Sequence, residues 1–201
     1  MPTRDELVQL YVVEALSTPE ISARLNVSLW HVTYLMRRYE IPRRLPSETR
    51  RIQFLRSPCS YEKINLQSTN DLELWCAGLM LYWAEGSKKC KHSVDFANAD
   101  PKVLTIFICF LRRIYRVREE RIRIYLYCYS NQNPTHLIEH WSNHLAVPVS
   151  QFSKPYIRED YKPDKINVMP YGLVHIRYHD SRLLVQIMQD IDIMYHRIIQ
   201  C

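Results

Sequence analysis

Apolar positions recur at helical spacing through the first 45 residues, and polar caps interrupt them. A first helix is predicted from about Arg4 to Ala15. Ser17 or Thr18 suits the cap of a second helix, with Pro19 and Glu20 in its first turn. Ile21 and Leu25 face inward there, and Ala23 is small enough for close packing. Asn26-Val27-Ser28 reads as a turn, and Ser28 caps a third helix that carries Val32, Leu35 and Met36 inward. Residues 46–69 are polar and basic with few apolar repeats, the pattern of a linker or arm.

Beyond residue 70 the periodicity mixes. A long apolar helix is expected from Asp71 to Glu85, with Gly86 suited to a left-handed stop. Alternation around Val94 and Phe96 marks a strand. Asp100-Pro101 opens a helix whose apolar positions include Leu104, Phe107, Ile108 and Leu111. Residues 121–129 alternate strictly, with Ile122, Ile124, Leu126 and Cys128 on one face and Arg121, Arg123, Tyr125 and Tyr127 on the other. A helix follows from Asn133 to before Pro148, then strands at 151–157 and 172–178, then a closing helix from Asp180 to Ile199. This irregular order predicts an α+β fold rather than a doubly wound sheet. It divides into an all-α domain over 1–45, a basic linker over 46–69, and a domain of helices with an antiparallel sheet over 70–201.

Composition narrows the choice of partners. Hydrophobic residues at 47% and charged residues at 24% allow a real core and argue against long disorder. The formal charge of +6 tilts the chain toward a polyanion. Only 3 glycines are present, which argues against a phosphate-cradling loop, and no glycine-rich nucleotide motif appears. The six cysteines form no C-x-x-C pair and read as reduced, mostly buried thiols. No apolar run of membrane-spanning length appears and the first residues lack the apolar core of a signal peptide, so a cytoplasmic protein with no membrane partner is expected.

The stretch STPEISARLNVSLWHVTYLM resembles the helix-turn-helix of many bacterial and phage regulators and recombinases. That resemblance implies that the third helix enters the major groove of double-stranded DNA, with Leu29, Trp30, His31, Thr33 and Tyr34 nearest the bases. Arg37 and Arg38 come one to two turns later and suit phosphates, and Arg43, Arg44, Arg50 and Arg51 extend the basic run. From Ser28 to Lys63 there are eight Lys or Arg against three Glu, so much of the excess charge follows this helix.

In the second domain, Ala77 and Ala84 are two helical turns apart, as are Gly78 and Glu85, so small residues form a stripe that lets another helix approach. Glu85 sits in the last turn, where the helix dipole disfavours a carboxylate unless a cation compensates. MLYWAEGS resembles the motif helix of the LAGLIDADG homing endonucleases and their non-catalytic relatives, and SVDFANADPKVLTIFICFLRRIY and YGLVHIRYHDSRLLVQIM resemble that family's later strand-helix steps. The resemblance implies a homodimer joined through Ala77, Gly78, Leu81 and Ala84, and a sheet saddle on DNA carrying Lys88, Lys89, Lys91, Arg121, Arg123, Tyr125 and Tyr127. It places Glu85 at the family's metal-binding acid.

Two departures weaken the implication of cleavage. Only about ten residues separate Gly86 from Phe96, where the nucleases have a long DNA-reading hairpin, and only Arg197 lies near the place of their basic active-site residue. The leading expectation is therefore a sequence-specific, regulatory double-stranded DNA-binding protein. The alternative is a divalent-metal endonuclease with Mg²⁺ as cofactor, Glu85 as metal ligand and catalytic acid, and Lys88 or Lys89 steadying phosphate charge. A third reading, RNA binding, rests on the aromatic-rich strand, which could stack bases. His136, His140 and His144 share one helical stripe, but they rise about 6 Å at each step and cannot all close on one ion.

Overall fold

The structure, a computed structural model, describes residues 1–88, 92–159 and 169–200. The chain forms two compact units, residues 1–58 and 59–201.

In the first unit, α1 (Arg4–Val8) starts from a capping box in which Thr3 and Glu6 satisfy each other's backbone N–H. The helix runs on through Gln9–Val13 with wider winding, and the Glu14 N–H donates to the Gln9 carbonyl at 2.8 Å. Ala15 at φ 55° ends it. Ser17 is the cap of α2 (Thr18–Leu25), again in a capping box with Glu20. Asn26 takes the left-handed conformation at φ 51°, which asparagine tolerates better than most residues. Ser28 caps α3 (Leu29–Arg38). Leu7, Leu10, Tyr11, Ile21, Val32, Leu35, Met36 and Ile41 form the core. Ala23 is exposed instead; the inward polar neighbour is Ser22, whose hydroxyl donates to the Val27 carbonyl at 2.6 Å.

The stretch expected as a linker holds a helix, α4 (Pro46–Arg56). It buries no side chain of its own, which is why apolar periodicity does not reveal it. Long-range polar contacts hold it, with the Arg56 guanidinium bonded to the Glu14 carbonyl and paired with Glu20.

The second unit begins with residues 59–66 laid against its core. The N–H groups of Glu62 and Ile64 donate to the carbonyls of Tyr115 and Ile114, each at 2.9 Å. Helix α5 (Thr69–Glu85) starts two residues earlier than expected because Ser68 caps it. Strand β1 (Val94–Asn98), α6 (Pro101–Arg113), β2 (Ile122–Tyr129), α7 (Pro134–Leu145), β3 (Tyr156–Arg158), β4 (Leu173–Tyr178) and α8 (Ser181–Ile199) follow. The sheet has the order β1-β4-β2-β3, antiparallel except for the parallel β2–β3 pair, and the architecture is mixed α+β. The expected strand over 151–157 shortens to β3, because Gln151 is buried in a short helical turn and its amide donates to the Ile122 carbonyl at 3.0 Å.

Alternation sets the sheet's two faces. Val94 and Phe96, Ile122, Ile124 and Leu126, and Val174, Ile176 and Tyr178 are buried with Leu79, Phe107, Phe110, Leu183 and Ile187 of the helices. On the other face Asp95 is buried, and Arg123, Tyr125, Tyr127, His175 and Arg177 are half-buried. Asp190 of α8 is buried among this core and accepts from the Tyr115 hydroxyl and the Lys63 ammonium, each at 2.6 Å, and from the Gln186 amide at 3.1 Å. No helix among the described residues is long and apolar enough to cross a membrane.

Candidate nucleic-acid interface

The outer face of α3 is the most distinctive surface of the first unit. Ser28 opens the helix with its hydroxyl accepting from the His31 N–H, and Val32, Leu35 and Met36 pin the inner face. Consequently positions 30, 34, 37 and 38 point outward together. Trp30 is 72% exposed, and its ring lies 5.4 Å from that of Tyr34 at an interplanar angle of 10°. Leu29 is exposed at the start of the helix, while His31 and Thr33 are half-buried and the Thr33 hydroxyl donates to the Leu29 carbonyl at 2.9 Å. Arg37 and Arg38 are exposed in the last turn, as are Arg43 in the following turn and Arg50 and Arg51 on α4.

Arg44 does something else. Its guanidinium donates to the carbonyls of Ala15 (2.9 Å), Tyr11 (3.1 Å) and Leu16, and lies 4.1 Å above the Tyr11 ring. It closes the exposed carbonyl end of the first helical stretch, so its donors point into its own unit rather than toward a phosphate.

The outer face of the sheet in the second unit is a second candidate. Pairing places Asp95, Arg177 and Arg123 in one row, His175 beside Tyr125 in the next, and Leu173, Tyr127 and Tyr156 in a third. Asp95 accepts from His175 Nδ1 at 2.9 Å and from Arg177 Nε at 2.8 Å. Burial pushes the Asp95 carboxyl upward, but these two partners outweigh it and hold it below the usual carboxylate range. Arg177 also lies 4.3 Å over the Tyr125 ring. The rings of Tyr127 and His175 are 4.8 Å apart, and those of Tyr127 and Tyr156 are 5.3 Å apart. The arginine heads are held down: Arg123 donates to the Glu120 and Ile122 carbonyls and Arg121 to the His179 carbonyl. Burial first, then the charges of Arg177, Arg123 and Arg121, lowers the pKa of His179.

Of this face, the alternation of residues 121–129 identifies Arg121, Arg123, Tyr125 and Tyr127 in the sequence. Asp95 and Tyr156 escape sequence reasoning, which sees His175 and His179 flanking Arg177 on a strand only as solvent-facing side chains. His175 and Arg177 lie at a period of two, but nothing local says that β4 sits between β1 and β2.

At the end of α5, Glu85 is exposed. Gly86 does not turn left-handed; its φ is −65°, and its glycine is required because a Cβ would lie 2.4 Å from the Tyr82 carbonyl oxygen. The Lys88 ammonium donates to the Trp83 carbonyl at 2.6 Å and so caps the negative end of the helix. Lys89 and Lys91 lie outside the described residues. A hard divalent cation such as Mg²⁺ is held by one or two carboxylates with substrate phosphates. Among the described residues no three His, Cys, Asp or Glu come together around one point.

The small-residue stripe divides. A Cβ on Gly78 would fall 2.1 Å from the Phe110 ring, so Gly78 serves the packing of α5 on α6 within the chain, not a second copy. Leu81 is half-buried against the same core, whereas Ala77 and Ala84 are exposed, beside exposed Met80 and Trp83. On α7, His140 stacks on Tyr171 at 4.1 Å with its Nε2 buried and without a hydrogen-bond partner among the described residues, and His144 Nε2 lies 3.0 Å from the Thr105 hydroxyl.

Comparison of this chain with protein-family profiles, with curated proteins and with solved structures finds no match.

Proposed function

We propose that this chain is a sequence-specific double-stranded DNA-binding protein of the regulatory kind, with α2, its turn and α3 acting as a helix-turn-helix. The observation that carries this reading is the outward Trp30–Tyr34 stack on α3, followed one turn on by Arg37 and Arg38. A large aromatic pair left in water is costly for a monomer and marks a contact surface. On α3 it stands near the helix N-terminus, where a recognition helix meets base edges, with cations placed for phosphates. Leu29, His31 and Thr33 flank the pair. Arg43, Arg50 and Arg51 extend the phosphate contacts, whereas Arg44 acts within the unit.

The second unit contributes self-association in this reading, as its resemblance to LAGLIDADG proteins implies. Exposed Ala77, Met80, Trp83 and Ala84 along α5 supply an apolar face for a second copy. The test is selection of duplexes from a randomised pool, followed by titration across salt. Arg37→Ala and Arg38→Ala should weaken every duplex and each reduce the salt slope by about one. Trp30→Ala should change which duplexes are kept. Unchanged affinity in both sets of variants would remove α3 from the interface.

A second reading, metal-dependent cleavage, rests on Glu85, an exposed carboxylate at the helix end that disfavours one. Two copies meeting along α5 would bring two such groups near each other. Bound Mg²⁺ would supply Lewis-acid stabilisation of phosphate charge. Double-strand cuts that need Mg²⁺ and vanish in Glu85→Gln would establish it; intact duplexes under both conditions would exclude it.

A further inference from the structure

We propose that the outer sheet face of the second unit binds single-stranded nucleic acid by stacking bases on Tyr127 and Tyr156, with Tyr125 and Arg177 as a second platform. The inference does not depend on α3 or on duplex binding.

The sheet's other face carries the helices and the core, and this face presents half-buried Tyr125, Tyr127, His175 and Arg177 with exposed Tyr156 at its edge. Tyr156, Tyr127 and His175 follow one another across β3, β2 and β4 with ring centroids 5.3 and 4.8 Å apart. The planes are tilted by 47° and 39°, so the rings act as neighbouring single stacking sites rather than one plane, and every base has a π-face that needs no particular donor pattern. Tyr156 is 60% exposed at the sheet edge, so its ring is open to a ligand. The Arg177–Tyr125 pair, fixed by Asp95, adds a planar cation over a ring on the adjacent strands.

The same geometry disfavours a duplex here. Reading a groove requires long side chains whose donors reach outward to base edges. The Arg121, Arg123 and Arg177 heads instead bond to carbonyls and to Asp95 at the sheet surface. Arg121 and Arg123 stand as cations beside the tilted rings of Tyr127, Tyr156 and His175, an arrangement that suits an unpaired strand whose bases stack one by one while its phosphates run past.

The experiment uses the full chain and fluorescence anisotropy with a short labelled single-stranded DNA, the RNA of the same sequence, and the duplex of that DNA. Both single strands should bind. Tyr156→Leu, an exposed edge position, should weaken them by about ten-fold, the scale of one lost base–aromatic stack. Tyr156→Phe and Tyr127→Phe should stay within about two-fold, since stacking survives loss of the hydroxyl. A preference between the DNA and RNA strands would identify the natural source. Arg37→Ala with Arg38→Ala should leave single-strand binding intact while affecting the duplex. The proposal is overturned if neither single strand binds, if Tyr156→Leu is silent, or if Phe at 156 costs as much as Leu. Single-strand binding that needs Tyr156 in a chain without duplex affinity would uphold the proposal and remove the α3 reading instead.

Discussion

The Lys63 ammonium lies 2.6 Å from the Asp190 carboxylate, tying the stretch before α5 to the closing helix. Asp190 is fully buried, while the Lys63 side chain keeps partial contact with solvent. The Tyr115 hydroxyl, the Gln186 amide and, at 3.5 Å, the Trp75 indole N–H also donate to the carboxylate. A buried charge is tolerated when its lone pairs are filled this way, and removing one partner strands the others. Asp190→Ala should therefore destabilise the second unit by about 3–5 kcal/mol, measured by urea unfolding. Lys63→Met should cost less than Asp190→Ala, because Asp190 then retains the Tyr115 and Gln186 donors.

Arg44 separates stability from recognition in the first unit. Its guanidinium serves the carbonyls of Tyr11, Ala15 and Leu16 and covers the Tyr11 ring. Arg44→Ala should lower the stability of this unit by about 1–3 kcal/mol through unmade hydrogen bonds. Arg44→Lys should restore little, since an ammonium cannot reproduce the planar fork. Thermal unfolding of these variants beside Arg37→Ala checks the assignment. A silent Arg44→Ala would contradict the carbonyl-capping role.

What the sequence disclosed follows the range of the interactions. Ser28, Asp100 and Asn133 cap α3, α6 and α7 through bonds two or three residues long, so a local reading finds them. Strand β2 is legible because alternation is also local. Helix α4 is not, since Arg56 holds it to Glu14 and Glu20 across the fold. Neither is the docking of residues 59–66, where the Ser60 hydroxyl donates to Asp180 across 120 positions. The Asp95–His175–Arg177 cluster has the same cause, being made by strand order. Gly78 shows a different limit: a small residue on a helix admits a close neighbour, but the sequence does not say whether that neighbour is in the same chain.

The corner where Ser60, Tyr61, Asp180 and Arg182 meet sets limits of stability in both pH directions. Burial works against the charged form of Asp180, but hydrogen bonds from Arg182 and Ser60 more than offset it and lower its pKa. The contribution of Asp180 is thus complete above the usual carboxylate range and is lost as pH falls through its lowered folded value. Burial first, then the charges of Cys59 and Asp180, pushes Tyr61 up to about 12. Its neutral form stabilises the fold fully below the ordinary tyrosine pKa of about 10, and that contribution is lost as pH rises toward about 12. Urea midpoints across the pH range should form a plateau with both shoulders. Tyr61→Phe should reduce the alkaline shoulder without abolishing it, since burial and the bond to Asp190 also raise Tyr115, and Arg182→Ala should move the acid shoulder toward neutrality.

The two sides of α5 should answer differently to substitution. Gly78 faces Phe110, and an added Cβ would fall 2.1 Å from a buried ring that has little room to move. Gly78→Ala should therefore destabilise the second unit by about 1–3 kcal/mol despite alanine's better helix propensity. Once the protein is folded, its state of association should be unchanged. Ala84 faces solvent beside Met80 and Trp83. Ala84→Glu should leave the unfolding midpoint of the isolated chain nearly unchanged, yet place a charge in any apolar contact between two copies. Light scattering at several concentrations, read with urea unfolding, distinguishes the two effects. A native chain that stays monomeric throughout would remove the α5 face as a self-association surface. Loss of association in folded Gly78→Ala but not in Ala84→Glu would move the contact to the opposite side of the helix.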